Sequence, residues 1–159
     1  MDLERILKRF EELDDPKAAA GMARFGIKAK MSYGLQMPVL KAMAKEIGKD
    51  HRLAMQLWAI DCRETRILAS LIEDPKGLSE KQMEAWVRDL DSWEVCDQTV
   101  MNLFGPSRFA RRMRRRCSSA GRRHPCTAVD ASRCGCCGLC RFHEGTGPRA
   151  RCSSAPWSY

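Results

Sequence analysis

The first 104 residues of this chain have little cysteine, no alternation of apolar and polar residues, and no long apolar run. Only Cys62 and Cys96 fall there, both in helical contexts, so no disulfide framework supports that part. Without period-two alternation no strand is expected. Met1 leads into the charged run DLERILKRFEELDD instead of an apolar h-region, so no signal peptide is expected. No stretch approaches the roughly 20 apolar residues of a membrane span. These lacks favour a cytoplasmic protein without a membrane partner. At 159 residues the chain suits one ordinary domain, long enough to bury a core unaided.

Residues 105–159 lack different things: they contain no Lys, Ile, Asn or Gln. They do contain 12 Arg against two acids, Asp130 and Glu144, a net of +10. Residues 1–104 hold 16 basic and 18 acidic residues, a net of −2, so the overall charge of +8 describes neither part. The later segment also holds seven of the nine cysteines. Cys134, Cys136, Cys137, Cys140 and His143 look like metal ligands but crowd together without the second half-site that zinc needs, so no metal or other cofactor is expected. The run RRMRRRC would bind nucleic acid only nonspecifically. A segment so poor in apolar residues cannot offset its conformational entropy, and disorder is expected from 105 to 159. An abrupt switch to Arg, Cys, Gly, Ser, Ala and Pro is also what a GC-rich coding sequence gives when read out of frame. The expectation is a nonnative tail beginning near residues 104–110. Translation of the nucleotide sequence in the other two frames tests it.

Residues 1–104 read as successive short helices. The first spans roughly Leu3–Leu13. Asp15 and Pro16 make a cap and first-turn pair for a second helix, closed by Gly26. After a connection through GIKAKMSYGLQ, Pro38 opens a third helix that Gly48 closes, and Asp50 caps a fourth. Capping boxes at Asp61/Glu64, Ser79/Gln82 and Asp91/Glu94 predict helix starts near 62, 80 and 92. Short helices with one apolar stripe each suggest antiparallel pairs stacked side by side, an all-α solenoid or irregular bundle. Lys41, Lys45 and Lys49 recur every four residues and form a basic stripe, either a solvated face or a track for a phosphate backbone.

DSWEVCDQTVMNLF, residues 91–104, raises the sharpest question. On a helix, Trp93, Cys96, Val100, Met101 and Phe104 fall within one arc with Asp97 near its centre, while Glu94, Gln98 and Asn102 take the wet side. On residue type alone Trp93 belongs to a core, and Asp97 caps a neighbouring helix or pairs with an arginine. Taken with MARFGI at 22–27, YGLQMPVLKAMAKEIGK at 33–49 and HRLAMQLWAIDCRETRILASLIEDP at 51–75, this stretch resembles the DNA alkylation repair family, the HEAT-like-repeat alkylpurine DNA glycosylases. The W-x3-D spacing is its specific part.

The resemblance implies a HEAT-like α-α superhelix, truncated here, whose basic concave face cradles duplex DNA. It implies excision of purines alkylated at N3 or N7 by hydrolysis of the N-glycosidic bond. Asp97 matches the catalytic aspartate, Trp93 the tryptophan packed against the lesion nucleotide, and Phe25 an aromatic lining the same cleft. Lys41 and Lys45 are expected on phosphate. The family also uses an arginine and a further aromatic from later repeats, and neither is matched beyond Phe104. The expectation is therefore a monomeric fragment, residues 1–104, with half a cleft and no turnover. The alternative is a nonenzymatic helical-repeat protein that binds DNA or a protein partner.

Overall fold

The computed structural model describes residues 1–24, 27, 30–90 and 92–109. The expectations for the chain beyond residue 109, including the cysteine cluster, lie outside the described residues, as do Phe25 and Asp91.

Among the described residues seven α-helices run in order: α1 Leu3–Glu12, α2 Pro16–Arg24, α3 Met37–Ile47, α4 His51–Trp58, α5 Arg63–Ile72, α6 Glu80–Arg88 and α7 Trp93–Thr99. A wider π turn, Val100–Phe104, continues α7. There is no strand among the described residues, and no helix there is long and apolar enough to cross a membrane. Several starts are fixed as the sequence predicts. The Asp15 carboxylate accepts from the backbone of Lys17 and Ala18 at 3.0 and 2.9 Å, and Asp50 accepts from Leu53 N at 3.0 Å.

Two capping boxes differ from expectation. Ser79 Oγ accepts from Gln82 N at 3.1 Å, but the Gln82 amide does not reach back. It donates instead to the buried Glu73 carboxylate at 2.7 Å, where a buried charge gains more from a donor than the cap does. At α5 the cap position falls on Cys62, one residue later than Asp61. Asp61 is drawn outward by Lys30 at 2.6 Å and Arg66 at 2.9 Å, and Glu64 turns into the interior.

Helix α5 is the hub. It packs against α3, α4, α7 and the π turn, and Arg63–Ser70 is buried without a break. Its C-terminal carbonyls are completed by Lys49, whose Nζ donates to Leu71 O and Glu73 O at 2.9 Å each. The core also contains Ile6, Phe10, Leu40, Met43, Leu57, Ile67, Leu68 and Phe104, all fully buried. Between α4 and α6, Trp58 and Trp86 stack with ring centroids 4.0 Å apart and planes 1° from parallel. The connection after α2 crosses that helix's first turn, with Asp15 N donating to Tyr33 O at 2.9 Å. Gly34 adopts φ +70° there, and a Cβ would strike the Asp15 carbonyl, so only glycine fits.

Candidate nucleic-acid site on the seventh helix

The row Trp93, Asp97, Met101 runs along one edge of α7 and the π turn. Residues four apart drift about 40° round a helix, so such a row slants away from any fixed face. The packed face is Val95, Cys96, Thr99, Val100, Leu103 and Phe104, all buried. The row begins at its margin with half-buried Trp93, passes through half-buried Asp97, and ends at Met101, which is 66% exposed. This corrects the single arc expected from the sequence. Cys96, Val100 and Phe104 are core, whereas Trp93, Asp97 and Met101 turn progressively outward. Asp97 is thus at the border of the core, four residues along the helix from Trp93.

Trp93 Nε1 is enclosed and has no hydrogen-bond partner among the described residues. An indole N–H left without an acceptor is costly, so this edge is not fully satisfied by the described residues alone. The π turn is closed by Gly105 N donating to Val100 O at 2.7 Å, and the Asn102 amide donates to Gln98 O at 2.7 Å. Wide turns of this kind concentrate near functional positions.

A second departure concerns Glu94. The sequence places it on the wet side, yet its side chain is only 13% exposed and receives a fork of two bonds from Arg63, Nε at 2.6 Å and Nη2 at 2.7 Å. Arg63 Nη1 also donates to Leu35 O at 2.9 Å and Glu64 Oε1 at 2.8 Å. The Glu64 carboxylate in turn accepts from Ser32 Oγ at 2.9 Å and Tyr33 N at 3.0 Å. Burial works against the Arg63 charge, but the hydrogen bonds and charge of Glu94, and then Glu64, outweigh it and raise the guanidinium's pKa further. Sequence reading missed this cluster. The signal was the Cys-Arg-Glu run opening a helix whose later residues, Ile67 to Ile72, are mostly apolar, a place where charges must find partners.

Cys62 lies beside the cluster, its thiol 3.3 Å from Glu64 Oε2. Burial, with the Glu64 charge adding to it, pushes this thiol up from 9.0 to about 11. Burial also raises Tyr33, helped by the acids around it. Both groups hold their protons more tightly folded than unfolded. Stability is therefore fully present below pH 9 and falls as pH rises toward 11, by about 2–3 kcal/mol for the thiol. Urea titrations at pH 8 and pH 10.5 should show that loss. A Cys62→Ser chain should show a smaller one.

Of the basic stripe, Lys41 and Lys45 are exposed on α3. No ion pair among the described residues engages either, since the neighbouring Glu46 pairs with Arg9 at 2.7 Å. Lys49 leaves the stripe to cap α5, as described. Among the described residues no group of three metal-ligating side chains occurs.

Three comparisons bear on this arrangement. The family described as DNA alkylation repair enzyme matches residues 6–118, past Phe104. No curated protein matches the chain. A solved structure described as "a new family of proteins related to the HEAT-like repeat DNA glycosylases with affinity for branched DNA structures" superposes with a TM-score of 0.71 at 22% identity, over 80% of this chain and 54% of that one. At that identity the likeness shows the fold, an all-α HEAT-like repeat stack, and the chain spans about half the length of the structure it matches. With more than two thirds of its length matched by the family's profile, the chain belongs to the DNA alkylation repair enzyme family.

Proposed function

We propose that this chain carries the DNA-binding front half of an alkylpurine DNA glycosylase, with Asp97 and Trp93 as its share of the catalytic site. The observation that carries the reading is the position of Asp97, half-buried beside the packed face of α7 and on the same outward-turning row as Trp93. Purines alkylated at N3 or N7 are cationic and leave readily, so little acid catalysis is required of the protein. The demand is to stabilise positive charge as it develops on the deoxyribose and to place a water, and a carboxylate beside an aromatic face suits both. Because the arginine and second aromatic of the family are not matched, the chain alone should bind duplex DNA without turning over. Incubation of the full chain with duplex carrying N7-methylguanine tests this. Binding without base release is expected, and release at an enzymatic rate would refute the half-site reading.

Lys41 and Lys45 are assigned to phosphate. Changing both to Glu should weaken binding to all duplexes alike and flatten the slope of log affinity against log salt by about 2, one unit for each phosphate that is no longer neutralised. The comparison is made in the full chain, where the arginine-rich segment contributes equally to both proteins. An unchanged slope would make the pair an ordinary solvated face.

A second reading is binding without excision. The matched structure's description gives that protein an affinity for branched DNA, and the second reading carries such an affinity to this chain. Competition between a four-way junction and a linear duplex separates the two readings. Preference for the junction, unaffected by Asp97→Asn, would favour the second.

A further inference from the structure

We infer that Arg63 is a positioning residue that sets the rotation of α7 about its axis and so places Asp97 and Trp93 for DNA; this rests on the reading of Asp97 proposed above. The start of α7 lacks the usual device for fixing a helix end, because Ser92 makes no side-chain capping bond. What holds it is Glu94, adjacent to Trp93 and three residues before Asp97, gripped by both Nε and Nη2 of Arg63. A planar fork fixes direction as well as distance, which a point charge cannot do.

The same guanidinium holds the other side. Arg63 Nη1 donates to Leu35 O, Arg63 N to Met31 O at 3.1 Å, and Glu64 collects Ser32 and Tyr33. One Arg–Glu pair therefore ties α7 to the connection 31–35 across the start of α5. Stability does not account for the arrangement. Arg63 is 2% exposed and Glu64 fully buried, and taking such charges out of water costs enough that apolar replacements are often neutral or better. Orientation does account for it. Side-chain ends lie about 6 Å from a helix axis, so a turn of about 10° moves a carboxylate by about 1 Å. An error of that size can cost roughly a hundredfold in a reacting geometry.

The test uses the full chain and two duplexes that differ at one nucleotide. One carries a neutral tetrahydrofuran abasic site, the other its protonated pyrrolidine analogue, which places positive charge where the oxocarbenium ion would develop. The parent should prefer the cationic duplex by about tenfold, and Asp97→Asn should abolish the preference. Arg63→Lys and Glu94→Gln should bring it within about twofold of parity while leaving affinity for the neutral duplex and cooperative melting in place. Arg63→Ala should regain it with added guanidinium but not with ammonium. If the folded Arg63 and Glu94 variants keep the parent's preference, the inference falls and Asp97 stands. If the parent has no preference, or Asp97→Asn retains it, the reading of Asp97 falls and takes the inference with it. Loss of cooperative melting in every Arg63 and Glu94 variant would assign the pair to stability alone, which also overturns it.

Discussion

Asp97→Asn, placed in a chain extended to the length of the matched structure, is expected to slow release of N7-methylguanine by about a hundredfold or more. The amide keeps the size of the carboxylate and most of its hydrogen bonding, so what is removed is the charge facing the developing cation. Electrostatic terms of this kind are worth about 3–4 kcal/mol in a transition state, and each 1.4 kcal/mol is about tenfold in rate. Affinity for undamaged duplex should hardly move, because the ground state carries no positive sugar. Single-turnover kinetics with excess enzyme isolates the step. Excision at the parent rate would remove Asp97 from the chemistry. A parallel loss of affinity and rate would point to misfolding of α7.

The largest stability effect is expected at the indole pair. Trp86 is 2% exposed and lies flat on Trp58, whose own Nε1 donates to Asp89 Oδ2 at 2.9 Å. Arg66 closes the group, its guanidinium carbon 5.9 Å from the Trp58 ring and its Nη1 donating to Asp89 O at 2.9 Å. Trp86→Ala removes the stacking surface and leaves a cavity bounded by α4 and α6, at a cost of about 3–5 kcal/mol. That is a large share of the roughly 5–15 kcal/mol typical of a domain, and the melting temperature should fall by more than about 10 °C. Trp86→Phe should recover part of the loss, since a ring still covers Trp58. If the alanine variant melts within a degree or two of the parent, the stack is not part of the cooperative unit.

How much of this could be read from the residues alone depends on the kind of interaction. Helix starts set by short-range chemistry were legible: Asp15 with Pro16, Asp50 and Ser79 act within three residues of themselves, and the sequence displays them directly. The helix α5 was legible as a helix but not as a hub. Its Glu64 reads as a capping-box partner of Asp61, whereas Arg63, Glu64 and Arg66 are buried because α3, α4 and α7 surround the helix. Partners such as Glu94, Leu35 and Asp89 lie more than 20 residues away in the chain, and no local pattern announces them. The site shows the same division. Trp93 and Asp97 could be paired by helical spacing, but which side of that row faces the core was fixed by packing against α5. The burial of Glu94 and the exposure of Met101 therefore went unanticipated.

The π turn has a consequence for how the chain leaves this region. Closing a loop with Gly105 N on Val100 O takes one more residue than an α turn needs. The wide turn spreads one surplus residue over about the same azimuth that an α turn covers, so excising a single residue between 100 and 104 would restore α geometry and leave the heading of residues 105–109 nearly unchanged. Trp93 and Asp97 would stay where they are. This short segment is therefore a spacer: it takes up one surplus residue while Leu103, Phe104 and Ser107 stay packed. Deletion of the exposed Met101 would be a stringent probe of that spacer: cooperative melting should persist, with the Trp93 and Asp97 side chains in place.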